Sequence, residues 1–143
     1  MSRRMSRRMR SRREFLRFGI VGTAALLIPR RMRADLAATS SHPTPRAGIT
    51  GANVLTKDDL AAAQNLVPLF DGIREIPEIV DGIRCQCGCA TLPGFYSLLS
   101  CYEKHGMARD CYICQGEGRL VLRLHKEGKS LDEIRVAIDA KFG

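Results

Sequence analysis

All six cysteines of this 143-residue chain fall within one 30-residue window: Cys85, Cys87, Cys89, Cys101, Cys111 and Cys114, written C-x-C-x-C, then a lone cysteine, then C-x-x-C. Thiols at this density have three uses: they pair as disulfides, they ligate a soft metal, or they cycle in redox chemistry. An even count suits three structural disulfides. The local spacing opposes that use, because residues i and i+2 of an extended chain point to one face about 6.5–7 Å apart, too far for a disulfide. Closing a ring between Cys85 and Cys87 would be very tight. Alternate cysteines are better suited to presenting several thiolates to one site, provided the chain bends, and Gly88 gives it that freedom.

The chain opens with the three parts of an export signal in order. Residues 1–13 are arginine-rich, residues 18–29 (FGIVGTAALLIP) are apolar, and residues 34–38 (ADLAA) supply small residues near a cleavage point. The apolar stretch is shorter than the roughly 20 residues needed to span a hydrocarbon core. Ser11-Arg12-Arg13-Glu14-Phe15-Leu16 resembles the twin-arginine consensus S-R-R-x-F-L, with Arg17 where lysine is frequent. Basic residues after the apolar stretch, Arg30, Arg31 and Arg33, are typical of such signals. The expected route is therefore the twin-arginine translocase, and the expected location periplasmic or otherwise extracytoplasmic. This assignment also reassigns the charge. Residues 1–33 hold 11 Arg and one Glu, so the +8 of the whole chain, less the +10 of this segment, leaves −2 for the remainder. A nearly neutral body is a poor nucleic-acid binder, and no such partner is expected.

The reading behind the signal (1–38) is a flexible linker (39–55), rich in Ser, Thr, Pro and Gly, followed by one folded domain (56–143). Thr56, followed by Asp58 and Asp59, resembles a helix N-cap, and Leu60, Ala63, Val67 and Phe70 continue it along one face, predicting a helix over 56–70. Pro77 fits the first turn of a short helix over 77–83 that delivers the chain into Cys85. Apolar spacing predicts further helices over 95–105 and 111–126, the latter closing at Gly128. Ser130-Leu131-Asp132-Glu133 is a capping box, and Leu131, Ile134, Ile138 and Phe142 form the stripe of a last helix. The expected fold is all-α: a small bundle of about five helices around the cysteine cluster. A body this small, with no Trp, calls for a staple, and six thiols are the obvious one.

Soft thiolates favour Cu(I), Zn(II) or an iron–sulfur cluster over hard cations. Cys101 and His105 are four apart in an expected helix and so share a face, while Cys111 and Cys114 sit at a helix start, where the dipole lowers thiol pKa. The candidate metal ligands are Cys85, Cys87, Cys89, Cys101, His105, Cys111 and Cys114. Met107 reads as packing, and His42 and His125 as structural or surface residues. The acidic and basic residues form no hydrolase-like constellation, and Gly116-Glu117-Gly118 is too short to be a phosphate loop.

Five ordered blocks carry a resemblance: Arg84-Cys85-Gln86-Cys87-Gly88-Cys89, Ser97-Leu98-Leu99-Ser100-Cys101, His105-Gly106-Met107, Cys111-Tyr112-Ile113-Cys114 and Glu127-Gly128-Lys129-Ser130-Leu131. Together they are similar to the bacterial PCYCGC-motif, or CYCXC, family of exported cysteine-rich proteins, many of them lipoproteins and some carrying selenocysteine. Selenium use in that family implies redox or soft-metal chemistry at one such position. Arg84 and Gln86 stand where the name motif has Pro and Tyr, and with no cysteine before Cys85 no lipid anchor is expected. The expected function is exported soft-metal binding, copper foremost, for sequestration or delivery, with a metal-donor or acceptor protein as partner. The alternatives are an extracytoplasmic thiol–disulfide oxidoreductase and a disulfide-stapled interaction module.

Overall fold

The computed structural model describes residues 42–143; the expected export signal and the first residues of the expected linker lie outside them. Among the described residues the chain is all-α. Its helices are α1 (Val67–Glu75), α2 (Pro77–Asp81), α3 (Leu98–Tyr102), α4 (Tyr112–Lys126) and α5 (Leu131–Phe142), with 3-10 turns at Gln64–Leu66 and Cys89–Thr91. Extended pairing among these residues is confined to an isolated bridge between Val54 and Glu103. No helix among them is long and apolar enough to cross a membrane.

The caps fall where local chemistry demands them. Ser130 accepts from the Glu133 backbone while the Glu133 carboxylate accepts from the Ser130 N–H, a full capping box that starts α5. Gly128, at φ +77°, turns the chain out of α4. Pro77 occupies the first turn of α2, where its missing N–H costs nothing.

Three helices are shorter than expected; the one predicted over 77–83 ends at Asp81. The helix predicted over 56–70 is replaced by turns: Thr56 donates its N–H and hydroxyl to Asp59, the Gln64 side chain ties off the Lys57 and Leu60 carbonyls, and α1 begins only at Val67. Pro68 is the reason. Inside a helix its ring would clash with the preceding turn, so it sits in the first turn of a new one. The helix predicted over 95–105 shrinks to Leu98–Tyr102, all five residues buried, and ends in extended backbone at Glu103. The chain then doubles back so closely that a side chain at Gly106 would overlap the Cys101 carbonyl, and Ala108 N–H donates to that carbonyl at 2.9 Å.

The segment expected to be a flexible linker has no helix over 42–55, yet it is packed along the body. His42 Nδ1 accepts from the Arg84 N–H at 2.9 Å and its Nε2 donates to Asp139 at 3.1 Å. Arg46 clamps the fully buried Asp81 through two guanidinium bonds and its own N–H, with Ser97 donating to the same carboxylate. Arg135 donates to the carbonyls of Gly82 and Pro43, and the Tyr96 hydroxyl to that of Thr44.

One core unites these parts. Phe70, Ile73, Val80, Leu98, Leu99, Tyr102, Val121, Ile134 and Ile138 have no solvent exposure, and the Phe70 and Tyr102 rings meet edge to face at 4.8 Å. Burial of each large side chain contributes about 1.5–3 kcal/mol. Cys85, Cys89, Cys101 and Cys114 belong to the same core, so sulfur fills part of the volume that aliphatic side chains leave unfilled.

Candidate metal centre

Three segments supply the sulfurs. The loop after α2 carries Cys85, Cys87 and Cys89, and bends at Gly88, whose φ of +92° is open to glycine at no cost. Helix α3 carries Cys101. Helix α4 carries Cys114 in its first turn, and Cys111 is its N-cap, accepting from the Cys114 N–H.

The bend converts the linear C-x-C-x-C into a cluster. Cys85 Sγ lies 3.3 Å from Cys87 Sγ and 3.5 Å from Cys114 Sγ; Cys87 and Cys114 are 3.5 Å apart, and Cys89 and Cys101 are 3.1 Å apart. No disulfide joins them. The sulfurs form three groups, each within 4.8 Å: Cys85–Cys87–Cys89, Cys85–Cys101–Cys114 and Cys87–Cys111–Cys114. A three-sulfur site with metal–sulfur bonds of about 2.3 Å has edges of about 4.0 Å. The cysteines are therefore positioned to coordinate a metal ion after adjustments of tenths of an ångström. All-sulfur donors select soft ions.

His105 stands apart from these groups. It lies in the turn beyond α3, exposed, and lines a separate surface cavity of about 670 Å³ with Thr56, Asp59, Phe95 and Glu103. The expectation that it shares a helical face with Cys101 fails because α3 stops at Tyr102. Met107 packs against the core, and His125 is exposed.

Glu117 was absent from the sequence-based ligand set and is the principal addition. Fully buried on α4, one turn after Cys114, it accepts hydrogen bonds from the Cys85 thiol at 3.0 Å and from the Gln86 N–H at 2.7 Å. Burial raises its pKa, against the lowering effect of those two bonds. Two neighbouring glycines were the available signal. A Cβ at Gly118 would overlap the Tyr102 hydroxyl, so this face of α4 is built for close approach to α3.

The thiols divide by environment. Cys85 is held in its protonated form: contact with Cys101 lowers its pKa, but the Cys114 thiol, burial and the Glu117 charge outweigh that. Cys114 is raised by Cys101, partly offset by Cys85, and further by burial. This overturns the expected lowering by the helix dipole. Cys101 is also raised: lowering by Cys114 is exceeded by Cys85 and burial. Cys89 is raised chiefly by burial. Cys87 alone among the shifted thiols is lowered; burial opposes ionisation, but the Cys89 N–H and the thiols of Cys89, Cys85 and Cys114 stabilise its thiolate. Cys87 and Cys111 are the half-exposed members of the cluster.

Comparison of the chain with protein-family models, with curated proteins and with solved structures yields no match.

Proposed function

We propose that this chain is an exported soft-metal-binding protein that holds Cu(I) through Cys85, Cys87, Cys89, Cys101, Cys111 and Cys114, for sequestration or delivery. The observation that carries the reading is the convergence of six sulfurs from three separate segments, with contacts of 3.1–3.5 Å among Cys85, Cys87 and Cys114 and between Cys89 and Cys101. Copper is preferred because each group consists of three sulfurs, whereas zinc favours four ligands. The twin-arginine-like signal and the similarity of the five sequence blocks to the PCYCGC-motif family support export, through the twin-arginine translocase, to a periplasmic or extracytoplasmic site. A metal-donor or acceptor protein would meet the cluster at its half-exposed edge, Cys87 and Cys111.

The test is elemental analysis with parallel thiol counting on protein collected from that compartment without chelator or added metal. Bound copper, with thiols that react only after chelation, is the expected result. Protein that carries no metal and binds none when reduced refutes the reading.

One observation favours a second reading, a thiol–disulfide oxidoreductase: Cys87 has a lowered pKa, partial exposure and a neighbouring thiol, Cys85, at 3.3 Å. That chemistry requires a single fast-alkylating cysteine and reversible two-electron cycling with a dithiol partner. Protection of several thiols together by a metal argues against it.

A further inference from the structure

The three sulfur groups are linked in a specific way. Cys85 belongs to the first and second, Cys87 to the first and third, and Cys114 to the second and third, while Cys89, Cys101 and Cys111 belong to one group each. Every pair of groups thus shares one sulfur. Three metal ions, one per group, would alternate with Cys85, Cys87 and Cys114 around a six-membered ring, and Cys89, Cys101 and Cys111 would each complete one ion's trio. The three shared sulfurs lie 3.3, 3.5 and 3.5 Å from one another, a nearly equilateral triangle. Independent mononuclear sites would need nine sulfurs, and the chain has six.

We propose that the cluster is trinuclear: three monovalent soft ions bound by six cysteines, with Cys85, Cys87 and Cys114 bridging. This rests on the metal–thiolate reading above and deepens it. With all six cysteines ligating as thiolates, loading displaces six thiol protons, and three monovalent ions leave the cluster with a net charge of −3. Each ion has a distinct outer donor: Cys89 in the loop, Cys101 on α3, Cys111 at the cap of α4.

The experiment is anaerobic Cu(I) titration of the reduced full chain against a chromophoric chelator, followed by native mass spectrometry. The chelator is set at a level that strips a two-cysteine peptide. The wild type retains three ions. Cys89→Ser, Cys101→Ser and Cys111→Ser each retain two, and Cys85→Ser, Cys87→Ser and Cys114→Ser each retain one. Helical circular dichroism of each variant identifies any that fail to fold, and X-ray absorption of the loaded wild type supplies a measurement free of mutation, with a copper–copper scattering path expected. Saturation at one or two ions, equal losses from all six substitutions, or no copper–copper path overturns the trinuclear proposal while leaving metal binding intact. A wild type that retains no ion overturns the metal reading itself.

Discussion

Substituting Gly118 by alanine tests how tightly α3 and α4, the two cysteine-bearing helices, are pressed together. The added methyl would overlap the Tyr102 hydroxyl and stand 2.9 Å from Tyr102 Cζ and 3.3 Å from Leu69 Cδ1. Tyr102 has no exposed surface and its hydroxyl donates to the Cys114 carbonyl at 2.7 Å, so the ring has nowhere to go without breaking that bond. Leaving the buried pair unsatisfied costs about 1–3 kcal/mol. Displacing a packed ring costs about another 1–3 kcal/mol. Alanine's better helix propensity returns about 1 kcal/mol. The net expectation is a loss of about 3 kcal/mol, or about 10–20 °C in Tm for a body of this size. Gly116→Ala is the matched control in the same helix: its methyl would meet only the half-buried Phe142 ring at 3.2 Å, and the change should stay within about 1 kcal/mol of wild type. Urea unfolding of the reduced, metal-free protein, followed by helical circular dichroism, measures both. A Gly118→Ala protein as stable as the Gly116→Ala protein would show that the close approach is not tight, and the account of this interface would fail.

Four further outcomes are expected. Timed alkylation of the reduced, metal-free protein should label Cys87 and Cys111 before the buried Cys85, Cys89, Cys101 and Cys114; peptide mapping reads the order, and a buried cysteine labelled first contradicts it. Because the pKa values of Cys85, Cys89, Cys101 and Cys114 are raised by folding, their contribution to stability is complete below the ordinary thiol pKa near 8.5 and is lost as pH rises; Cys87 acts in the opposite sense. Urea midpoints of the reduced, metal-free protein should therefore fall between pH 7 and pH 9.5, and a flat profile would contradict the assignment. Arg46→Ala should cost about 3 kcal/mol by leaving the fully buried Asp81 carboxylate without its cation, and the loss should shrink when Asp81→Asn is combined with it, a cycle readable by thermal unfolding. Glu117→Ala should cost about 2–4 kcal/mol, since the Gln86 N–H and the Cys85 thiol both lose their acceptor and a cavity opens; a change under about 0.5 kcal/mol would remove Glu117 from the account of the site.

The parts of this fold legible in the sequence are those fixed by neighbours within four residues. Ser130 with Glu133, Gly128 and Pro77 each declare a helix end through their own backbone chemistry, and each stands where expected. Residues 56–70 misled because their apolar spacing is helical, whereas Pro68 interrupts the hydrogen-bond ladder that such a helix would need. The segment 95–105 misled for a different reason: Leu98 to Tyr102 are apolar enough to be buried on every side, and periodicity cannot mark where a wholly buried segment stops. The site divides the same way. The bend at Gly88 follows from the residue itself, while the burial of Glu117 depends on α3 approaching α4, and the position of His105 on a chain reversal that Gly106 permits.

Helix α5 contributes no sulfur, yet Asp139 on it accepts from both His42 and the Gln86 side chain, the latter in the middle of the cysteine loop at 2.8 Å. Arg135, one turn earlier, holds the Gly82 carbonyl just ahead of that loop. During synthesis every cysteine has therefore been joined to the chain before the residues that brace Cys85 and Cys87 exist. Until residues 135–139 have been made and docked, the cell contains a nascent chain with six thiols and no set geometry. A metal ion meeting the chain at that stage would find thiols not yet gathered into the three groups of the folded protein.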